Sequence, residues 1–205
     1  MRKCLLITAI ILSCMVAAAA IYELTPAGTV QGMKARVKTE AEEVENDDTV
    51  RILFIGNSYL KRYNMTQTFR SLCLQNGLKV DVALFAFDGA YLRDFLNIKH
   101  VTGTLRKGRY DIVVFQEESH CVRTETAATA AVIVKMIREA APGTRFFLYE
   151  TMSYRGKPEE QELFTSAYEN ISKITGAEVI PVGRDFWKYS EDNPGLKMFD
   201  DGQHP

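Results

Sequence analysis

The sequence predicts an α/β fold, a three-layer α/β/α sandwich on a five-stranded parallel sheet. Five short runs of mostly branched or aromatic residues, "VRILFI", "KVDVALFAF", "YDIVVFQ", "RFFLYE" and "AEVIPV", read as strands buried on both faces. Segments with helical spacing separate them. That alternation is what a parallel sheet requires, because each crossover must carry the chain back before the next strand can run the same way.

The chain begins with a different kind of material. Arg2 and Lys3 precede "CLLITAIILSCMVAAAAIY", an uncharged run from Cys4 to Tyr22. A positive start, an apolar stretch and then Ala17 to Ala20 read as an export signal, with cleavage after Ala19 or Ala20. The run is also long enough to span a bilayer as an uncleaved anchor. "ILSC" loosely resembles a lipobox, which would lipidate Cys14. The two basic residues keep the N-terminus cytoplasmic and place the rest of the chain outside. The expectation is an exported protein, secreted or attached to the cell envelope, with the choice among the three forms open. Residues 23–49, which include "TEAEEVENDD", have little to bury and read as an acidic flexible linker.

Residues 50–205 then form one domain. Apolar residues make up 46% of the chain and charged residues 25%, the proportions of an ordinary globular protein. A net charge of −1 offers no basic stripe to neutralise phosphates, so nucleic acid is not an expected partner. Two of the four cysteines lie in the N-terminal run, and Cys73 and Cys121 are expected as unpaired thiols.

After the first strand, Met65, Phe69, Leu72 and Cys73 share one face of a helix over residues 65–76, and Gly77 stops it. A short helix around "AYLRDFLNI" follows the second strand. Thr124 caps a long helix through "AATAAVIVKMIREA" to the Pro142-Gly143 stop. The next helix sets Leu163, Ala167, Ile171 and Ile174 along one face and ends at Gly176. "GRDFWKYS" is expected to be irregular, with Phe186, Trp187 and Tyr189 packed under the last loop.

In a sheet of this kind, sites gather beyond the carboxyl ends of the strands. The residues there are Gly56-Asn57-Ser58, Asp88-Gly89-Ala90, "QEESH" from Gln116 to His120, and "DGQHP" from Asp201 to Pro205. A serine hydroxyl becomes a good nucleophile when a histidine takes its proton and a carboxylate holds that histidine's tautomer. Asp201-x-x-His204 brings the last two together in one turn. The resulting oxyanion needs donors, for which the N–H groups of Ser58 and Gly89 and the Gln116 amide are candidates. Taken alone, Ser58 would be a turn or helix-capping serine. Glu117 and Glu118 do not make a glycosidase pair, because neighbours on a strand point to opposite faces. His100, Glu118 and His120 lack the short spacing of a metal site, and no phosphate-binding glycine loop occurs.

The ordered set resembles the SGNH hydrolases, or GDSL-like esterases. The resemblance implies a flavodoxin-like α/β/α fold, Ser58 as nucleophile, His204 as base, Asp201 as its orienting acid and Gly89 as an oxyanion residue, with no cofactor. Asn57 stands where the family commonly has Asp. "QEES" is similar to the Gln-Gly-Glu-Ser motif of the carbohydrate acetylesterase branch, with Glu117 replacing the glycine. It implies Gln116 as the third oxyanion donor, with Ser119 as its rival. The family usually continues past His-Pro into a closing helix, so the domain is expected to be truncated at Pro205. The implied activity is hydrolysis of O-acyl, chiefly O-acetyl, esters of a small molecule or glycan. The alternatives are an O-acyltransferase and a non-catalytic glycan-binding protein of the envelope.

Overall fold

The computed structural model describes residues 48–119, 124–199, 201, 202 and 204. The export signal, nearly all of the linker and Cys121 lie outside the described residues. The five strands are β1 (Val50–Gly56), β2 (Val80–Ala86), β3 (Ile112–Phe115), β4 (Arg145–Tyr149) and β5 (Glu178–Ile180). They form one parallel sheet in the order β2-β1-β3-β4-β5. The helices are α1 (Ser58–Lys61), α2 (Met65–Gln75), α3 (Leu92–Asn97), α4 (Lys99–Lys107), α5 (Thr124–Ala140), α6 (Gln161–Thr175) and α7 (Val182–Asp192).

Alternate residues of β1, β3 and β4 feed two separate cores, which is why these runs are largely apolar, whereas the edge strands β2 and β5 are less buried. Ile52, Phe54, Val114 and Phe147 pack against Phe69 and Cys73 of α2 and Phe186 of α7. Leu53, Ile55, Val113 and Leu148 pack on the opposite face with Phe95 of α3, Leu105 of α4, Ile133 of α5 and Ile171 of α6. The three-layer α/β architecture is therefore as the sequence implies. Cys73 is a free, fully buried thiol whose pKa burial raises to about 11.

Three local expectations are corrected. A second helix, α4, follows α3 where the sequence pointed to one short helix; its Val101 and Leu105 are buried and the rest of it is polar. The segment around "GRDFWKYS" is a regular helix, α7, not an irregular stretch. The third correction concerns the inner face of α6. Leu163 is 70% exposed and Ile174 is 54% exposed. Ile171 points inward as expected, but its companions there are Gln161, Thr165, Tyr168 and Thr175.

The cause of that rotation lies at the end of β4. Glu150 is fully buried there. Its Oε1 accepts bonds from Gln161 Nε2 at 3.0 Å, Thr165 Oγ1 at 3.1 Å and the Arg184 N–H at 3.1 Å. The helix turns polar side chains inward because a buried carboxylate without donors costs more than two exposed apolar residues. Burial still raises the Glu150 pKa, against the lowering effect of Arg184 and these donors.

Candidate active site

Ser58 is the first residue of α1, directly beyond β1. Asn57 caps the helix by accepting the Tyr59 N–H at 3.2 Å on Oδ1. Its Nδ2 donates to the Ala90 carbonyl at 3.4 Å, and Lys61 Nζ lies 2.9 Å from Asp88 Oδ2. The Lys61 contact, first among its causes, lowers the Asp88 pKa. These two ties lay the Asp88–Ala90 turn alongside α1. Gly89 has φ +68°, a backbone that favours glycine. Among the described residues, neither the Ser58 N–H nor the Gly89 N–H has a hydrogen-bond acceptor.

The chain reaches the same place from its far end. His204 Nε2 is 2.8 Å from Ser58 Oγ across 146 residues of sequence. His204 Nδ1 is 2.8 Å from Asp201 Oδ2 and 3.0 Å from Asp201 Oδ1, which also accepts the His204 backbone N–H at 2.8 Å. With the carboxylate ionised, Nδ1 must carry the proton, so the Nε2 lone pair faces the serine hydroxyl. Ser58 and His204 are 8% and 6% exposed, which leaves a narrow approach.

Several neighbours hold this arrangement. The Tyr59 ring packs 5.3 Å from the imidazole, centroid to centroid. Burial raises the Tyr59 pKa to about 12; the Ser119 hydroxyl beside it works the other way, and Glu118 and Asp201 add to the rise. Met198 and Phe199 lead into the final turn, and Phe199 packs against Phe186 at 5.0 Å and Trp187 at 5.5 Å. Trp187 Nε1 donates to Ser153 Oγ at 2.8 Å, and the Arg155 N–H donates to the Gly202 carbonyl at 3.0 Å. The aromatic packing expected under the last loop is therefore present.

Gln116 was expected as the third oxyanion donor. Gln116 is fully buried; its Oε1 accepts the Asn57 N–H at 2.8 Å and its Nε2 donates to the Glu117 carbonyl. The amide braces the ends of β1 and β3. Its rival Ser119 is also fully buried, beside Tyr59. Glu117 is a further buried carboxylate with its pKa raised, chiefly by burial. It accepts the Leu92 N–H at the start of α3, the Glu118 N–H and the Thr126 hydroxyl. Sequence reasoning missed Tyr59 and Arg62 as members of the site. Tyr59 was legible only through its adjacency to Ser58, and Arg62 carried no spacing signal.

No family model matches the sequence, and no curated protein matches it. Solved structures do. The esterase EstA from Pseudoalteromonas sp., solved with monoethylphosphonate as inhibitor, aligns with a TM-score of 0.55 at 15% identity, over 78% of this chain and 88% of that one. A member of the lipolytic G-D-S-L family from Veillonella parvula aligns at 0.55 and 15%, over 76% and 89%. AlinE4, an SGNH-hydrolase family esterase, aligns at 0.53 and 14%, over 73% and 83%. A five-stranded parallel sheet in this order, flanked by helices and matched over most of the chain, gives this protein the fold of the SGNH, or GDSL-like, esterases.

Proposed function

We propose that the protein is a serine esterase working through an acyl-enzyme. The observation that carries this reading is the continuous hydrogen-bonded line from Asp201 through His204 to Ser58, with 2.8 Å at each step. Ser58 Oγ attacks the ester carbonyl carbon while His204 Nε2 takes the hydroxyl proton, and Asp201 stabilises the imidazolium that forms. The N–H groups of Ser58 and Gly89 receive the oxyanion. Collapse of the tetrahedral adduct expels the alcohol, which takes its proton back from His204. Water then repeats the sequence in reverse and releases the acid. The likeness to esterases, one of them inhibited by a phosphonate, supports the reaction class.

The low exposure of Ser58 and His204 favours a short acyl group. The substrate class in this reading is an O-acetyl ester, with carbohydrate as the alcohol on the strength of the Gln116–Ser119 stretch. Export belongs to the same reading, on the charge-then-apolar order of residues 2–22.

The test is to treat the full-length chain with a fluorophosphonate probe and read the intact mass. One adduct is expected, absent in Ser58→Ala and slowed about a hundredfold or more in His204→Ala. Folded protein that takes no adduct, or an adduct that persists in Ser58→Ala, overturns the reading. A panel of acetylated sugars against longer acyl esters then tests the substrate class.

A further inference from the structure

Resting on the esterase reading, we propose that Arg62 is a positioning residue: it fastens the loop of Asp201 and His204 to the helical turn that carries Ser58. Arg62 Nη1 lies 2.9 Å from Asp201 Oδ2, the oxygen that also takes the His204 Nδ1 proton. The Arg62 backbone N–H donates to the Ser58 carbonyl, closing α1. The bonds therefore form a ring. It runs from the Ser58 carbonyl to Arg62, from its guanidinium to Asp201, from Asp201 to the imidazole, and from the imidazole back to Ser58 Oγ.

The ring answers a specific weakness of this site. The Asp201 side chain is 42% exposed, so water competes with the imidazole for its oxygens. Among the described residues, the Arg155 bond to Gly202 holds the final turn by its backbone, and the packing of Phe199 holds the residues before it. Arg62 grips the carboxylate itself, and does so from the end of α1. Lys61, next to Arg62 at the end of α1, grips Asp88, so the same end of the helix is tied to the turn after β2 as well. An ion pair this exposed adds little to stability. Its effect belongs to alignment, because reacting groups held slightly off line react far more slowly.

Arg62→Gln and Arg62→Lys in the full-length chain, checked for folding by circular dichroism, test this with p-nitrophenyl acetate. Arg62→Gln should lose about tenfold in kcat with KM changed by less than about twofold. Arg62→Lys should recover most of that loss. Raising salt from about 0.05 M to about 1 M should lower kcat of the wild type but not of Arg62→Gln, since salt screens an exposed pair. A kcat for Arg62→Gln equal to wild type, or the same salt response in both, overturns the proposal. Wild type without Ser58-dependent turnover would sink the esterase reading instead. The tether is then read by proton NMR, from the downfield His204 Nδ1–H resonance, assigned by its loss in His204→Ala. Exchange should broaden it in Arg62→Gln, and an unchanged line there refutes the tether.

Discussion

Gly56 occupies the tightest point beneath the site. A Cβ built there would lie 2.5 Å from Gln116 Oε1 and 2.9 Å from Gln116 Cβ, closer than side chains approach. The amide needs that space to reach the Asn57 N–H, and Asn57 in turn caps the turn that presents Ser58. Gly56→Ala should therefore cost about 1–3 kcal/mol and slow probe labelling of Ser58 as well. Urea unfolding and labelling rates measure the two effects separately, and a stable variant with normal labelling would contradict the account. At this scale Ser58, Asp201 and His204 were legible, because a serine directly after the first strand and an Asp-x-x-His after the last make an ordered set at predicted strand ends. The bond of Gln116 to Asn57 was not legible because the two lie 59 residues apart, and only the folded register brings them together.

Among the elements, α6 shows most clearly what a hydrophobic pattern can miss. Its apolar residues at Leu163 and Ile174 make a plausible stripe, yet the helix follows the demands of Glu150. Thr165→Val keeps the shape and removes one donor from that carboxylate, so it should destabilise by about 1–3 kcal/mol. Glu150 also makes a prediction about pH. Its pKa is raised in the fold above the ordinary value of 4.5, so the folded state holds the proton more tightly than the unfolded chain. Below about pH 4.5 both states are protonated and burial of the charge costs nothing. As pH climbs through the raised value, stability from this group is lost. Glu150→Gln should accordingly gain on the wild type as pH rises, which thermal melts across that range would show. A difference between the two that does not change with pH would be the contrary result. The strands were readable because burial on both faces leaves little choice of residue type. α4 escaped notice because it buries only Val101 and Leu105.

For the molecule as a whole, the parallel direction of the strands follows from the alternation of elements, while the site depends on joining the first strand's end to the turn of Asp201 and His204. The sheet and both cores are formed from residues before that turn. Among the described residues, the ties on the turn include the backbone bond to Arg155, the exposed Arg62 pair, the aromatic packing of Phe199 and the contacts of His204 with Ser58 and Tyr59. Ties of this kind make it a low-stability unit that opens before the global transition. At urea concentrations that leave the far-ultraviolet circular dichroism intact, probe labelling should already be falling. Coincident loss of both signals would mean that turn and sheet unfold together. The sequence placed Phe186 and Trp187 under the last loop but carried no signal for how firmly that loop is held.

Trp187 is the only tryptophan in the chain, and it sits where that turn docks, with its indole N–H on Ser153 and its ring against Phe199. Its light emission therefore comes from a single place in the molecule. When the turn lifts, water reaches the indole and the emission moves to longer wavelength, with no label attached. The protein thus carries its own optical gauge of whether the imidazole is seated over the serine.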